Sequence, residues 1–350
     1  MNFVSMLKEA AINTSTITVG VLHWDVQIIS PFCKPRFSET SYGFRSNRSC
    51  EKVIVKLLEY LNDGYEWIVD IDLEKFFDRV PQDRLMSLVH HIIQDGDTES
   101  FIRSYLYSGV VINGQRHKTL VGTPQRGNLS PLLSNIMINE LDKELENRDL
   151  HFVWYADDCV ITVGSEAAAK RVMHSVSRFI EKRLGLKVNM IKTKIVRPRK
   201  LKYLGFGCWK FSEGWESRPH QDSVQSFKRK LKKLTTRKWS VDLDSHIEKL
   251  NWVIRGWINY SSLTNMKSVM SSIDERLRTC MRAIIWKQWK KKSKRLWGLL
   301  KLGVPRWIAD KGSGWGDHYQ LVASKSVLKR AISKSVLALS LIHIWRCRRA

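Results

Sequence analysis

The chain has 350 residues, of which 59 are Lys or Arg and 34 are Asp or Glu, so its formal net charge is +25. With 43% hydrophobic residues and 14 Trp it can bury sizeable cores, which excludes a disordered polycation. It has no apolar run of 18 residues and no signal-peptide pattern at its start, so neither a membrane partner nor secretion is expected. A charge this high on a folding chain indicates a nucleic-acid partner.

The cysteines favour an intracellular, reducing location. None of the six belongs to a CxxC pair, which argues against a zinc site and against a disulfide framework. We therefore expect a cytoplasmic protein. The cysteines are Cys33, Cys50, Cys159, Cys208, Cys280 and Cys347.

The first part of the chain, residues 1–220, is balanced in charge, with 30 basic and 26 acidic residues. Short β-prone runs alternate in it with longer helical patterns, which predicts a mixed α and β unit. The predicted strands and helices are, in chain order, Glu51–Leu61 (helix), Trp67–Ile71 (strand), Phe152–Tyr155 (strand), Cys159–Val163 (strand) and Ala167–Leu184 (helix).

The second part, residues 221–350, holds 29 basic and only 8 acidic residues, together with nine of the 14 Trp. Its pattern predicts an almost entirely helical unit with basic stretches at Phe227–Leu234 and Lys287–Arg295. A polar segment bracketed by Gly214 and Pro219 separates the two compositions, so we expect the domain boundary there.

Two acidic clusters, each attached to a hydrophobic strand, are the most informative feature of the first part. Asp70, Asp72 and Asp78 follow one strand, and Asp157 and Asp158 lie between two others, where the pattern predicts a hairpin turn. If these strands pair, the carboxylates converge and need a cation to neutralise them. Oxygen ligands select hard ions, Mg²⁺ above all, and two such ions suit phosphoryl displacement.

A helix is predicted to begin at Ser130, because Ser is a good N-cap and Pro131 suits the first turn. The apolar residues that follow have helical spacing. They are Leu132, Leu133, Ile136 and Leu141.

With these residues in view, the chain resembles the bacterial group II intron-encoded reverse transcriptases and maturases. Six blocks agree with that family in order and spacing over roughly residues 31–215. They are Ser41–Arg45 with Asn47–Ser49, Val69–Asp78, Gly122–Gln125 with Leu129–Asn135, Tyr155–Asp158, Asn189 with Lys192–Lys194, and Tyr203–Phe206. The resemblance implies an α+β fold of the right-hand polymerase type. Fingers and a palm with an antiparallel sheet would precede an all-helical basic thumb.

The resemblance also implies the metal ligands. The family's first metal-binding Asp stands five residues before a bulky aromatic, which matches Asp72 and Phe77, whereas Asp70 would place Lys75 there. Asp72, Leu73 (through its backbone), Asp157 and Asp158 would then hold two Mg²⁺ ions, with Mn²⁺ as the alternative. Phe77 would be the steric gate that excludes a 2′-hydroxyl.

Four further residues receive roles from the resemblance. Tyr155 would shape the hairpin against the primer end, and Gln125 would lie under the templating base pair. Arg45 would contact the incoming triphosphate, and Lys192 would protonate the pyrophosphate leaving group, a general-acid task.

The chain departs from the family at two positions. Arg126 stands where a second glycine is usual, so it could crowd the template or add a phosphate contact. Trp154 stands where a basic residue commonly precedes the Tyr.

The basic tail resembles the family's maturase-specific region, through Ile254–Tyr260 and Ile285–Lys290. Lys and Arg interleaved with Trp suit RNA, because cations neutralise phosphates and aromatic rings stack on unpaired bases. We expect Trp257 and Trp286 to be buried. The residues expected to face RNA are Lys287, Lys290, Lys291, Lys292, Lys294 and Arg295.

The expected organisation has five segments. Residues 1–30 match no block and indicate a truncated or frameshifted N-terminus. Residues 31–215 form the fingers and palm, 220–300 the thumb, and 301–338 a truncated end of the maturase region. Residues 339–350 resemble the translation of a sequencing-library adapter. The sequence after the basic tail shows no Cys/His endonuclease pattern, so we expect no such module in this chain.

These features predict a group II intron RNA-directed DNA polymerase in a bacterial ribonucleoprotein, with intron RNA, an RNA template, a DNA primer and dNTPs as partners. Two alternatives remain open. One is another prokaryotic reverse transcriptase of the retron or defence type. The other is an RNA-binding maturase remnant whose polymerase is dead.

Overall fold

The computed structural model describes residues 29–108, 110–112, 115–117, 121–124, 127–236 and 243–337. The chain divides into two compact units. Unit 1 extends to Leu201 and includes Cys208–Trp215, whereas unit 2 contains Lys202–Gly207 and the chain from Glu216 onward. The expected damaged N-terminus and adapter-like C-terminus lie, apart from residues 29–30, outside the described residues.

Unit 1 is built on a four-stranded antiparallel sheet with the strand order β4–β5–β1–β6. A two-stranded ribbon, β2–β3, stands apart from it. The strands are β1 (Trp67–Asp72), β2 (Val110–Ile112), β3 (Gln115–His117), β4 (His151–Tyr155), β5 (Asp158–Val163) and β6 (Lys194–Val196). The three predicted strands are therefore present, each within one residue of its expected ends.

Within the described stretch from residue 50 to residue 184, six α-helices accompany this sheet. They are α1 (Cys50–Asn62), α2 (Phe76–Arg79), α3 (Gln82–Ile93), α4 (Gly96–Tyr107), α5 (Ser130–Asn147) and α6 (Glu166–Phe179), the last continued by a π-helical turn at Ile180–Leu184. Helix α1 starts where the Ser49 hydroxyl accepts a hydrogen bond from the backbone N–H of Lys52 (3.3 Å), as an N-cap does. The sheet and these helices bury one continuous apolar core.

The start of α5 differs from the prediction. Ser130 is the first helical residue rather than the N-cap, and Leu129 holds the cap position. The Ser130 hydroxyl donates to the carbonyl of Pro124 (2.6 Å) and lies 2.8 Å from the Tyr105 hydroxyl. It therefore fastens the preceding loop to the helix instead of capping it. The four predicted apolar residues of the helix are all buried.

A hairpin of β7 (Phe206–Phe211) and β8 (Gly214–Pro219) contributes residues to both units, and the segment where the sequence predicts the domain boundary is itself a strand. In the described residues of unit 2, the other regular elements are helices. They are α7 (Gln221–Leu234), α8 (Leu243–Tyr260), α9 (Lys267–Gln288), α10 (Lys292–Lys301), α11 (Arg306–Ser313), α12 (Tyr319–Ser324), α13 (Ser326–Ala331) and α14 (Lys334–Leu337). The α+β architecture with a helical second part agrees with the sequence.

The core of unit 2 contains the maturase-like motif of α8. Ile254 and Ile258 are fully buried. Trp257, which the sequence predicts to be buried, is only half-buried and stacks on Phe227 with ring centroids 4.3 Å apart. The Tyr260 hydroxyl donates to the carbonyl of Leu204 at 2.6 Å. One face of α8 therefore packs into the core of unit 2.

Within the described part of the chain, no helix is both long and apolar enough to cross a membrane. The five cysteines of that part are all free thiols.

Candidate active site

The two acidic clusters meet because β1 and β5 pair antiparallel. Asp72 lies directly opposite Asp158 at the end of this ladder, and Tyr155 pairs with Asp158 across the neighbouring hairpin. Directly opposite residues have Cβ atoms about 5 Å apart. Ala156 and Asp157 form the two-residue turn beside this pair, so Asp72, Asp157 and Asp158 all lie at the same end of the sheet.

Mutual repulsion marks this cluster electrostatically. Burial, followed by the charges of Asp157, Asp70 and Asp72, raises the pKa of Asp158 to about 6. Asp70 lies on the same strand face as Asp72 and forms an ion pair with Lys194 (3.5 Å). Burial raises the pKa of Asp70, while Lys194 lowers it. Asp70 therefore contributes to the local field, a role that the sequence did not assign.

In the loop Asn189–Lys194, Lys192 is the cation that lies closest to this cluster. Its Nζ donates to Asp72 Oδ2 at 3.0 Å, and this bond raises the pKa of Lys192. The backbone of Asp72 is held on both sides, since its carbonyl accepts from the N–H of Asn189 (2.9 Å) and its N–H donates to Thr193 Oγ1 (3.3 Å). Because Asn189 and Thr193 both hydrogen-bond to the backbone of Asp72, Lys192 between them is held close to the Asp72 carboxylate.

The donor chemistry fits a hard divalent cation. Carboxylate oxygens whose charges repel one another, with an ammonium as the counter-charge, are a set that Mg²⁺ can neutralise. Among the described residues, no group of three or more His, Cys, Asp or Glu side chains is close enough together to hold a metal ion in the present side-chain arrangement. Leu73 is buried, and its backbone forms an isolated β-bridge with Val188.

Phe77 lies in a helical turn directly after β1. Its ring is half-buried and meets Phe44 edge to face, with centroids 6.4 Å apart. Its carbonyl accepts a hydrogen bond from Thr123 N–H at 2.6 Å. Gly122 has φ +90°, and a Cβ there would stand 2.8 Å from the Phe77 carbonyl oxygen, so only glycine allows this contact.

Tyr155 and Arg45 are tied to other parts of unit 1. A hydrogen bond to Cys50, with burial, raises the pKa of Tyr155 to about 12. The Arg45 guanidinium donates to the carbonyls of Ser38 and Ser41, the latter at 3.0 Å. In this arrangement Arg45 braces the backbone of its own loop rather than reaching into open space. Gln125 and Arg126 lie outside the described residues.

Trp154, where the family usually has a basic residue, is fully buried, and its indole N–H has no hydrogen-bond partner. It belongs to the apolar core of unit 1.

In unit 2, five of the six residues expected to face RNA are exposed. They are Lys287, Lys290, Lys291, Lys292 and Lys294. Trp297 on α10 is 58% exposed and has the Lys301 ammonium 4.9 Å from its ring centroid. Trp286 is fully buried, as expected.

Arg295 is the exception, and the prediction for it was wrong. Its side chain is 9% exposed and donates to the carbonyls of Trp289 (2.9 Å) and Trp315 (2.7 Å) and to Asp317 Oδ1 (2.6 Å). It also lies over the ring of Trp286. The basic stretch is not one helix, because α9 ends at Gln288 and α10 begins at Lys292. Arg295 binds the carbonyl of Trp289 in this break.

Replacing Arg295 with Met is expected to destabilise the protein by about 2–4 kcal/mol, because buried carbonyls lose a charged donor. Urea unfolding followed by Trp fluorescence measures this loss. Lys294→Met, at the neighbouring exposed position, is the control and should change stability by less than about 0.5 kcal/mol. Equal stability of the two variants would contradict a structural role for Arg295.

Comparison with known proteins agrees with this geometry. Residues 11–208 match the family described as reverse transcriptase (RNA-dependent DNA polymerase). The chain belongs to this reverse transcriptase family. Residues 224–303 match the group II intron, maturase-specific domain. The reverse transcriptase match begins inside the segment 1–30 that the motifs left unmatched.

Individual relatives of this reverse transcriptase include the group II intron-encoded protein LtrA of Lactococcus lactis, 39% identical over 39% of this chain and 23% of LtrA. A COX1/OXI3 intron 2 protein of Saccharomyces cerevisiae is 26% identical over 70% of this chain and 35% of its own length. The chain thus spans about a quarter to a third of the length of these two relatives.

A solved telomerase from Candida tropicalis, in complex with the TWJ fragment of telomeric RNA, has a similar fold. Its TM-score is 0.50 at 14% identity, over 99% of this chain and 59% of that one. This likeness concerns the fold.

Proposed function

We propose that this chain carries out RNA-directed DNA synthesis, adding dNTPs to a primer 3′-hydroxyl, and that it binds a group II intron RNA. The observation that carries the proposal is the β1–β5 register, which sets Asp72 opposite Asp158 with Asp157 in the adjoining turn. Polymerisation of nucleotides needs such an acidic pocket inside a basic protein.

Asp72, Asp157 and Asp158, with the carbonyl of Leu73, would hold two Mg²⁺ ions, or Mn²⁺ in their place. When bound, these ions supply charge stabilisation for the transferring phosphoryl group and activation of the attacking hydroxyl. The raised pKa of Asp158, caused first by burial and then by the neighbouring carboxylates, supports this assignment, since a cation would stabilise the ionised form.

Lys192 is proposed as the general acid. Its ammonium group neutralises Asp72 across 3.0 Å, and that contact raises its pKa. With Asp72 engaged in metal binding, Lys192 would lose this partner and could donate its proton to the departing pyrophosphate oxygen.

The residues around the carboxylates position the substrates. Phe77, wedged against Phe44 and bonded to the loop at Thr123, would form the wall beneath the sugar of the dNTP. Arg45 would have to exchange its carbonyl partners for the triphosphate, and Tyr155 would support the primer end. Gln125, which lies outside the described residues, would lie under the templating base pair.

The five exposed lysines around the junction of α9 and α10 are proposed to bind the intron RNA. Their neighbour Trp297 offers a ring for stacking on an unpaired base, a contact that contributes about 1–3 kcal/mol. The maturase-specific match over residues 224–303 favours an intron partner over the retron type.

Primer extension tests the proposal. The protein, an RNA template with an annealed DNA primer, dNTPs and Mg²⁺ should give products that follow the template sequence, and chelation with EDTA should stop them. Binding of a group II intron RNA and of an unrelated structured RNA is measured by fluorescence anisotropy in parallel. RNA binding without any extension would instead support the binding-only alternative.

A further inference from the structure

Four residues, Thr40–Gly43, form a strap beside the turn Tyr155–Asp158, which we call the carboxylate turn. The carbonyl of Thr40 accepts from the N–H of Trp154, and the N–H of Tyr42 donates to the carbonyl of Trp154, both at 3.0 Å. Ser41 forms a parallel β-bridge with Trp154. The strap therefore runs along β4 and ends beside the turn that contains Asp157.

Gly43, at the end of the strap, touches the turn itself. A Cβ at this position would overlap the backbone nitrogen of Ala156 and stand 2.9 Å from its Cα. Ala156 has φ +59°, a left-handed conformation that costs a non-glycine residue about 1–3 kcal/mol unless its surroundings enforce it. The backbone of Gly43, which lies in close contact with Ala156, is one of the neighbours that can enforce this conformation.

Asn135 fixes the position of Gly43. This residue of α5 is 5% exposed, and its side-chain Nδ2 donates to the Gly43 carbonyl at 3.0 Å. The contact joins residues 92 positions apart in the chain. A buried amide side chain has few alternative rotamers, so this hydrogen bond holds the Gly43 carbonyl at a fixed distance from α5.

The same helix holds the loop on its other side. Ser130, at the start of α5, donates to the carbonyl of Pro124, so the loop that begins at Gly122 is fastened one and a half turns before Asn135. Helix α5 is thus a common base for this loop and, through Asn135 and Gly43, for the turn with Asp157.

We propose that Asn135 is a positioning residue that sets the place of Asp157 relative to the loop, acting through Gly43 and Ala156. The inference rests on the proposed function, because it takes Asp157 as a metal ligand. Loss of the Asn135 amide frees the strap, lets the strained turn relax and spreads the carboxylates, so metal affinity falls while the fold persists.

The test is Mn²⁺ titration followed by electron paramagnetic resonance, with the full chain and without any activity assay. Asn135→Leu removes the donor at nearly equal volume and adds no charge, and Asn135→Ala is the second variant if Leu does not fold. Asn139→Leu, the same change at a buried position one turn later on α5, is the matched control. Thermal melting establishes that each variant is folded.

The expected result is a Kd for Mn²⁺ raised about five- to tenfold in either Asn135 variant and less than twofold in Asn139→Leu. Folded Asn135 variants with unchanged Kd, while Asp157→Asn weakens Mn²⁺ binding, would overturn the inference alone. Unchanged Mn²⁺ binding in Asp157→Asn would overturn the proposed metal site and the inference with it.

Discussion

Replacing Asp157 with Asn is expected to lower the rate of RNA-templated primer extension at least about 10³-fold. The amide is neutral and keeps the size of the side chain, so the turn between Tyr155 and Asp158 can keep its shape. The substitution removes one negative charge from the carboxylates that would hold the metal ions. Single-turnover incorporation of one dNTP measures the loss, and the Kd for RNA should change less than twofold.

Asp149→Asn is the matched control for this prediction. Asp149 is exposed, lies in the same unit just before β4, and has φ +51°, which Asn accepts readily. Its rate should stay within twofold of wild type. A fully active Asp157→Asn would rule out the carboxylate turn as the reaction centre.

Replacing Phe77 with Val is expected to raise the efficiency of rNTP use relative to dNTP use about 10²-fold. The ring is half-buried and lies edge to face against Phe44 and Phe76, so it cannot swing aside for a 2′-hydroxyl. Val shortens the wall but keeps an apolar surface. The ratio of kcat/KM for a matched pair of ribo- and deoxynucleotides measures the change.

Phe101→Val serves as the control, because Phe101 is also partly buried against the core of unit 1. It should reduce stability without changing the ratio of rNTP to dNTP efficiency. If Phe77→Val and Phe101→Val gave the same ratio as wild type, Phe77 would be an ordinary core residue.

Much of the active-site scaffold could be predicted from the sequence because it depends on local patterns. Alternating and continuous apolar runs marked β1, β4 and β5 within one residue, and the acids at their ends predicted the convergence that the β1–β5 register displays. The Asn189, Lys192 and Thr193 spacing likewise belongs to one loop that folds onto Asp72.

The remaining features depend on partners that are distant in the chain. Arg295 looks like any other cation of a basic stretch until the carbonyl of Trp315, 20 residues later, accepts its hydrogen bond. Ser130 satisfies the rule for an N-cap, yet its hydroxyl meets Tyr105, 25 residues earlier. In the sequence, Asn135 is only the last residue of the block Leu129–Asn135. Its hydrogen bond to Gly43 could not be predicted, because Gly43 lies 92 residues away in the chain.

The most direct measurement is anomalous diffraction from crystals of the protein soaked with Mn²⁺. The account predicts anomalous density between Asp72, Asp157 and Asp158, with Lys192 moved off Asp72. Density elsewhere, or none among these carboxylates at saturating Mn²⁺, would contradict it.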